Sequence, residues 1–336
     1  MNKRTFCIEF LKCFFSGKDL YSSPAFQSPD LDFFLDSLNM KLPVISVNMR
    51  CLAESDFDYS VCPTGALNIR NSSPVFNESL CIGCGKCVRQ CRNSFITDRS
   101  YLGDVASMLS GEHVLALTAP AIEASFSGNI ESLILQAGFS AVESVLPGAV
   151  RVIEEEADAL ACTVSENSWL FTSCCGAYRE LERKMLDFLG EKRGFIQTPL
   201  KAAADIYRRK YPDYRIIFIG PCIAKKAEVY ANPDLDGMLT FDELTYLFYA
   251  KGIEFERGTL GSSPYEKNNL LSSGIARTVA KQAGLEHIDI YTVSGLDRSA
   301  IAELASWKTG TPPAIFAEAL ACPGGCMNGP GNLEHI

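Results

Sequence analysis

The sequence lacks the features that mark three common classes of protein. Its 336 residues contain no uninterrupted apolar run as long as a membrane-spanning helix needs. It lacks an excess of basic residues: the formal net charge of -9 argues against nucleic acid and anionic membranes as main partners. It also lacks a good secretory signal, because Glu9 and Lys12 interrupt the apolar N-terminal stretch. These absences predict a cytoplasmic globular protein, which agrees with a hydrophobic content of 47%.

Cysteine, by contrast, is abundant. The 14 cysteines are many for a cytosolic chain, and several stand at short spacings in one block. Short spacings without a secretory signal favour metal ligation over disulfide bonds. The length also leaves room for two domains.

Three apolar stretches each read as a buried strand that stops at a cysteine beside Gly or Pro. They are residues 169–171, leading to Cys174 and Cys175; residues 215–221, leading to Cys222; and residues 314–317, leading to Cys322 and Cys326. In an open α/β sheet, ligands gather outside the carboxyl ends of the strands. A single such cysteine is best interpreted as a core thiol. Four together (Cys175, Cys222, Cys322 and Cys326) predict an iron–sulfur site.

These stretches resemble the three signatures of the FeFe hydrogenases. The family pattern Thr-Ser-Cys-Cys-Pro corresponds to residues 172–176, and Met-Pro-Cys-x-x-Lys-Lys-x-Glu to residues 220–228. The pattern Glu-x-Met-Ala-Cys-Pro-Gly-Gly-Cys-x-x-Gly-Gly-Gly corresponds to residues 318–331. The resemblance spans about residues 112–331. It implies reversible reduction of protons to H2 at an H-cluster, which is a 4Fe–4S cubane joined to a diiron subsite with CO, cyanide and azadithiolate.

The resemblance also implies a role for individual residues. The four cysteines named above hold the cubane, and Cys326 bridges to the diiron subsite. Lys225 holds a cyanide ligand by a charge-assisted hydrogen bond, whereas Lys226 is interpreted as a surface lysine. Cys174 is the last proton donor, because a thiol with a pKa of about 8.5 can give and retake a proton near neutral pH. The remaining expected site residues are Glu156 and Thr198 on the proton relay, and Ala119 and Pro120 in a turn near the diiron site.

A ferredoxin-type motif stands upstream. The run from Cys81 to Cys91 has the C-x2-C-x2-C-x3-C spacing of bacterial ferredoxins, for which a zinc knuckle is the alternative. The fourth Cys of each ferredoxin half serves the other half's cluster, so one 4Fe–4S cluster is assigned to Cys62, Cys81, Cys84 and Cys87. Of the other half's set, only Cys51 and Cys91 remain. We therefore expect one cluster here; the alternative recruits Cys7, Cys13 or an Asp, although the first two are better interpreted as core thiols.

The predicted organisation has three parts: an N-terminal segment at 1–40, a ferredoxin-like domain at 41–100 and a hydrogenase catalytic domain at 110–336. Phe6, Phe10 and Phe14 at helical spacing predict a docking helix in the first part, followed by a linker or surface loop at 16–30. From residue 112 onwards, strands such as 114–118 and 288–293 alternate with helices such as 148–163. The expected fold is α/β, with a doubly wound sheet next to a small α+β ferredoxin-like domain.

Several departures from the family pattern leave two other functions open. Gly176 replaces a Pro, Gly220 and Leu320 replace two Met residues, and Ala159 stands where an outer relay carboxylate would align, with Asp158 adjacent. The alternatives are a hydrogen sensor of low turnover and a hydrogenase-like Fe–S assembly protein. The expected partners are a ferredoxin-like electron carrier and H-cluster maturation proteins. A small subunit or a homo-oligomer is a further possibility.

Overall fold

The computed structural model of the protein describes residues 2–166, 168–172, 174–193, 196–258, 274–310 and 312–333. Its helices are α1 (Lys3–Ser16), α2 (Leu31–Ser37), α3 (Met49–Ala53), α4 (Lys86–Gln90), α5 (Leu102–Met108), α6 (Ile122–Ser125), α7 (Ile130–Gln136), α8 (Leu146–Ser165), α9 (Gly176–Met185), α10 (Asp187–Arg193), α11 (Pro199–Lys210), α12 (Lys225–Ala231), α13 (Phe241–Lys251), α14 (Gly274–Gln282) and α15 (Arg298–Ser306). Among these described helices, none combines the length and apolar character needed to cross a membrane.

The strands of the described residues divide into five sheets. They are β1 (Ile45–Val47), β2 (Leu67–Arg70), β3 (Ser73–Phe76), β4 (Ile96–Asp98), β5 (Val114–Thr118), β6 (Phe126–Ser127), β7 (Ala141–Ser144), β8 (Leu170–Thr172), β9 (Arg215–Ile219), β10 (Gly237–Leu239), β11 (Glu256–Arg257), β12 (Ile290–Ser294) and β13 (Phe316–Leu320). Three of the sheets are small antiparallel pairs: β1 with β4, β2 with β3, and β6 with β11. The other two are larger and parallel.

The N-terminal segment folds onto the rest of the chain through α1. Asn2 caps this helix, and Gly17 ends it with φ 64°. Phe6 is buried and stacks on Phe34 at 5.3 Å, so the predicted docking helix is confirmed. The loop predicted at 16–30 does not lie wholly on the surface: Phe26 is buried, with its ring edge against Phe6 at 5.4 Å.

The ferredoxin-like region is built from the two hairpin-like pairs β1–β4 and β2–β3 with short helices between them. The turn from β2 to β3 consists of Asn71 and Ser72, which both have positive φ. Two such residues make the type of tight turn that matches the twist of paired strands. The pairing of β1 with β4 closes the region by joining residues on both sides of the cysteine motif.

The remaining parallel strands form two sheets, ordered β10-β9-β5-β7 and β12-β13-β8. The strands β5, β9 and β13 are almost wholly buried, because helices cover both faces of parallel sheets. The sequence pattern does not indicate that the parallel strands divide between two sheets. The strands that lead to the cysteines belong to two sheets, with β9 in the first and β8 and β13 in the second.

Helices α8 and α11 pack closely against each other beside the region where these two sheets meet. A Cβ added at Gly148 would lie 2.3 Å from the Pro199 carbonyl oxygen, so glycine is required for the observed contact. The close packing brings Glu156 on α8 near the start of α11, where Thr198 is the N-cap.

Candidate metal centre and its polar neighbours

The cysteines of the three signatures follow the carboxyl ends of three buried strands. Strand β8 ends at Thr172, shortly before Cys175, and pairs with β13, which ends shortly before Cys322. Strand β9 ends at Ile219, shortly before Cys222, in the other sheet. The candidate centre thus lies where the ends of the two sheets meet. Ser173, which belongs to the first signature, is outside the described residues.

The four expected cubane ligands lie close enough to alter one another's ionisation. Burial raises the pKa of Cys222 to about 12, and the nearby Cys175 charge acts in the same direction. Burial also raises the pKa of Cys322, with further contributions from Cys222 and Cys175. Among the described residues, no three His, Cys, Asp or Glu side chains converge as the ligands of a single metal ion do. Grouped thiols are the donor set that iron–sulfur clusters use, so these residues fit a cubane.

The glycines of the third signature explain how Cys326 reaches the same centre as Cys322. Gly324 and Gly325 have φ values of 77° and 102°, a backbone that residues with a Cβ rarely adopt. The chain turns there, and the charges of Cys222 and Cys175 contribute to raising the pKa of Cys326. Without this turn, an extended chain would carry Cys326 away from Cys322.

The accessory thiols of the ferredoxin-like region line one cavity, which includes Cys62, Cys81, Cys84 and Cys87. Burial raises the pKa of Cys87 well above its ordinary range, and the charges of its three companions add to the effect. The backbone N–H of Leu67 donates to Cys62 Sγ at 3.4 Å. This donor set also fits a 4Fe–4S cluster.

The other half of the ferredoxin-like region keeps the backbone hydrogen bond to a cysteine sulfur, but it has only two of the four cysteine ligands that a cluster needs. The Ile96 N–H donates to Cys91 Sγ at 3.3 Å, which repeats the arrangement of Leu67 with Cys62. Cys91 and Cys51 line a larger, open cavity of about 960 Å³, where Cys51 Sγ lies 3.8 Å from Asp30 Oδ1. Neither of the two cysteines of α1 lines this cavity, and both are buried in the core. Of the alternative ligand types considered above, this cavity contains aspartate: Asp30, Asp56 and Asp58 line it.

The accessory thiols approach the candidate centre directly. The charge of Cys84 contributes to raising the pKa of Cys322. A Cβ added at Gly85 would lie 2.6 Å from Pro330 Cγ and 2.9 Å from Ile223 Cδ1, the residue after Cys222. The close packing of this loop therefore depends on glycine, and it places the two thiol sets side by side.

Cys174 and Cys175 have different neighbours although they are adjacent. Cys175 is surrounded by backbone N–H groups and the other cubane thiols. Cys174 shares a hydrogen bond with Cys326, which lowers the pKa of Cys174, and the Lys225 charge acts in the same direction. The side chain of Cys174 also lines a small cavity, which Cys175 does not.

That small cavity of about 20 Å³ connects Cys174 with Glu156 and is also lined by Thr172, Arg179 and Gln197. Glu156 is only 3% exposed, and burial raises its pKa to about 7. Glu156 Oε1 accepts a hydrogen bond from the Thr172 hydroxyl, while Oε2 has no partner among the described residues. A cavity of this size holds about one water molecule.

Thr198 and Lys225 meet at a residue to which the sequence analysis gave no role. The Thr198 hydroxyl donates to Glu228 Oε1, and the Lys225 ammonium lies 2.5 Å from Glu228 Oε2. The hydroxyl that contacts Glu156 is thus that of Thr172, not of Thr198. Glu228 is the last position of the second signature, and this was the signal that could have identified it.

The site can now be compared with known proteins. A family model described as iron only hydrogenase large subunit, C-terminal domain, matches residues 112–285, more than half of the chain. A 4Fe-4S binding domain model matches residues 74–97.

The chain belongs to the iron-only hydrogenase family. It is 22% identical over 335 residues to the NADP-reducing hydrogenase subunit HndD of Solidesulfovibrio fructosivorans, covering 77% of this chain and 57% of that protein. It is 24% identical over 310 residues to iron hydrogenase 1 of Clostridium pasteurianum, covering 72% of this chain and 54% of that protein. The chain therefore spans about half the length of the curated relatives it matches.

A solved FeFe-hydrogenase structure, from a study of oxygen inactivation of the H cluster, has the same fold. It aligns with a TM-score of 0.56 at 18% identity, covering 70% of this chain and 85% of that chain. Together with the two family models, this confirms the predicted α/β fold class and the ferredoxin-like region at the N-terminal side. The domain boundaries and the individual site residues stay predictions.

In this member of the iron-only hydrogenase family, Ala119 and Pro120 follow β5, next to the end of β9. The Ala119 N–H donates to the Ile219 carbonyl at 2.8 Å, and a Cβ added at Gly220 would lie 3.3 Å from that of Ala119. The turn therefore lies against the segment that precedes Cys222, where a turn lining the diiron subsite is expected.

Lys226 requires a correction, because it is not a surface lysine. Its side chain is 0% exposed and contacts Asp98 Oδ2 at 2.5 Å, Glu243 Oε1 at 2.8 Å and the Arg99 carbonyl at 2.7 Å. Lys3 of α1 joins the same cluster, at 2.5 Å from Asp98 Oδ1. A buried ammonium is stable only with such partners, and all of them lie far away in sequence.

Proposed function

We propose that the protein is a hydrogenase that interconverts protons and H2 at an H-cluster. The observation that carries this proposal is the meeting of Cys175, Cys222 and Cys322 from the strand ends of two sheets, with Cys174 and Lys225 directly beside them. Membership in the iron-only hydrogenase family supports it. When bound, the H-cluster supplies the exchange of electrons with protons and H2, and the protein supplies placement, hydrogen bonds and access.

The residues of this chain then have the following roles. Cys175, Cys222, Cys322 and Cys326 would hold the cubane, and by the family likeness Cys326 would also serve the diiron subsite. Lys225 would donate an N–H to an anionic cyanide ligand, since an ammonium strengthens a hydrogen bond to an anion. Ala119 and Pro120 would line the diiron subsite.

Protons reach the diiron subsite through Cys174. The thiol exchanges its proton with Glu156 across the cavity that both line, with the carboxyl held by the Thr172 hydroxyl. A pKa of about 7 suits Glu156 to accept and return a proton near neutral pH. The family likeness adds Thr198 to the relay, although the hydroxyl of Thr198 contacts Glu228.

Cys62, Cys81, Cys84 and Cys87 would hold a 4Fe–4S cluster next to Cys322, and that cluster would supply electron transfer to the site. We assign this cluster to a ferredoxin-like domain at 41–100 and the H-cluster to a catalytic domain at 110–336. A ferredoxin-like carrier is the electron partner, and maturation proteins insert the diiron subsite. Iron counting on protein without that subsite tests the assignment: two cubanes give about eight iron atoms, whereas about twelve would show a second accessory cluster.

Infrared spectroscopy of the matured protein, together with turnover using a reduced viologen dye, tests the function. We expect CO and cyanide bands in the parent and in Cys174→Ala. Turnover in Cys174→Ala should fall by about a hundredfold or more, because a positioned acid typically contributes that much, and Cys174→Asp should recover part of it. Unchanged turnover in Cys174→Ala would mean that protons arrive by another route. Absence of the bands in the parent would favour the assembly protein instead.

A second candidate function is that of a hydrogen sensor of low turnover. The residues that line the site just before Cys222 favour it. Gly220 stands where the family has Met, and a Cβ added there would lie 2.6 Å from the Phe218 ring. The Phe218 ring thus occupies the space that a side chain at position 220 needs. Intact infrared bands with near-zero turnover in the parent protein would select this candidate.

A further inference from the structure

Glu228 contacts two residues of the proposed site at once. It lies one helical turn after Lys225 on α12, so the two side chains share a face of the helix. Glu228 Oε2 is 2.5 Å from the Lys225 ammonium, and Oε1 accepts the Thr198 hydroxyl. Both oxygens of one carboxylate are therefore engaged, each by a different element.

The three side chains are largely shielded from water. Lys225 and Glu228 are 11% and 17% exposed, and Thr198 is buried. Ion pairs in this environment interact more strongly than surface pairs, and their geometry matters more. Thr198 is itself fixed, because it is the N-cap of α11 and accepts the Lys201 N–H at 3.2 Å.

The Thr198 hydroxyl donates its hydrogen bond to Glu228 and not to Glu156. A hydroxyl has one proton to donate, and that of Thr198 goes to Glu228. Glu156 receives its hydroxyl contact from Thr172 instead. The neighbours of Thr198 in sequence, Gln197 and Pro199, line the cavity of Glu156, whereas Thr198 does not. Cys174 is thus flanked by two polar arms, one with Glu156 and Thr172 and the other with Lys225, Glu228 and Thr198, and Arg179 is near the carboxylates of both.

We propose that Glu228 is a positioning residue that holds the Lys225 ammonium toward the diiron subsite, and that Thr198 acts through Glu228 rather than by passing protons to Glu156. An ammonium has three N–H donors, and Glu228 takes one, leaving donors for an anionic ligand of the cofactor. This inference rests on the proposed function for the identity of that anion. The contact of the three side chains is independent of it.

The first experiment uses protein that lacks the diiron subsite, so that it does not depend on the proposed function. We expect Lys225→Met and Glu228→Gln each to lower the folding equilibrium constant by about tenfold, and the double variant to lower it by little more than either single variant. The matched control is Glu9→Gln, which breaks the exposed i,i+3 pair of Glu9 with Lys12, 2.8 Å apart. The control should lower the constant by less than about fivefold. Additive effects of Lys225→Met and Glu228→Gln would overturn the inference.

The second experiment uses the matured protein. Glu228→Gln should shift the cyanide bands and shorten the retention of the diiron subsite, and Glu228→Asp should partly restore both. Thr198→Val should shift the same bands by a smaller amount, while the pH at which turnover is half-maximal stays that of the parent. A changed pH profile in Thr198→Val with unmoved cyanide bands would place Thr198 on the Glu156 relay and overturn the inference. Absence of the CO and cyanide bands in the parent would reject the proposed function. The non-additivity of Lys225→Met and Glu228→Gln in the first experiment would still test whether Glu228 holds Lys225.

Discussion

Helix α12 begins with two lysines whose side chains go to different regions of the molecule. Neighbouring positions on a helix are about 100° apart around its axis. Lys225 therefore faces the candidate H-cluster site, whereas Lys226 faces Asp98 of the ferredoxin-like region and Lys3 of α1. Lys226 gives its ammonium three acceptors, two carboxylates and a carbonyl, which matches its three N–H donors. Among the described residues, the Lys225 ammonium contacts the single carboxylate of Glu228. The difference teaches that a buried lysine with all donors satisfied supports structure, whereas one with donors to spare is available for a ligand.

The Lys226 region connects three parts of the chain that are distant in sequence. Asp98 ends β4 of the ferredoxin-like region, Lys3 belongs to α1, and Glu243 lies in α13. Glu243 also accepts the Thr240 N–H at 2.8 Å as part of a capping box. Two cations and two anions make the cluster formally neutral. Removing Lys226, the fully buried cation that contacts both carboxylates, leaves buried charge uncompensated.

The largest expected effect tests the structural side of this comparison. Lys226→Met should lower the free energy of unfolding by about 3–5 kcal/mol, because the carboxylates of Asp98 and Glu243 lose their shared buried cation. Denaturant unfolding measures the loss. The control is Lys12→Met on the exposed part of α1, with an expected loss below about 1 kcal/mol. Equal losses in the two variants would contradict a structural role for Lys226.

The functional side is tested by Lys225→Ala. We expect a smaller loss of about 1–2 kcal/mol, since only the contact with Glu228 disappears. The cubane should remain, but the diiron subsite should be retained poorly, because Lys225 orients rather than ligates. Iron analysis and infrared spectra check this, with Cys222→Ala as the reference variant that loses the cubane itself. Normal retention of the subsite in Lys225→Ala would remove the proposed role of the lysine.

Acid should weaken the Lys226 region through Asp98. Burial alone would raise the pKa of Asp98, but the charges of Lys226 and Lys3 outweigh burial and hold it well below its ordinary range. The stability that this carboxylate contributes is present above its ordinary pKa of about 3.9 and is lost as the pH falls further. The stability difference between the parent and Lys226→Met should therefore shrink by about 1–3 kcal/mol between pH 6 and pH 3. A constant difference across unfolding curves in this range would speak against an ionised Asp98 as the main partner.

The smallest effect is expected for Lys3→Met. The Lys3 ammonium lies 2.5 Å from Asp98 and 3.7 Å from Glu243, and Lys226 remains as a partner for both carboxylates. We expect a loss of about 1 kcal/mol by denaturant unfolding, because one hydrogen bond disappears while its acceptor keeps another cation. A loss as large as that of Lys226→Met would show that α1, not α12, supplies the main compensating charge.

Local patterns in the sequence determined much of this protein. The spacing from Cys81 to Cys91, the strand at 114–118 and the capping box of Thr240 with Glu243 all depend on residues within a few positions of one another. Such patterns are readable because backbone hydrogen bonding and helix or strand periodicity act over short distances in the chain. The three cysteine signatures likewise led to the iron-only hydrogenase family, which the family models confirmed.

Tertiary structure alone decided which polar groups meet. The pair of Lys225 with Glu228 is local, three positions apart on α12, whereas only packing directs Lys226 to Asp98, 128 positions away. The same holds for Thr172 and Thr198, two hydroxyl residues whose carboxylate partners no local pattern predicts. The division of the strands between two sheets is also decided by long-range pairing, as of β13 with β8. The physical reason is that a buried charge or hydroxyl is stable only beside a partner, and the partner's position depends on how distant elements pack.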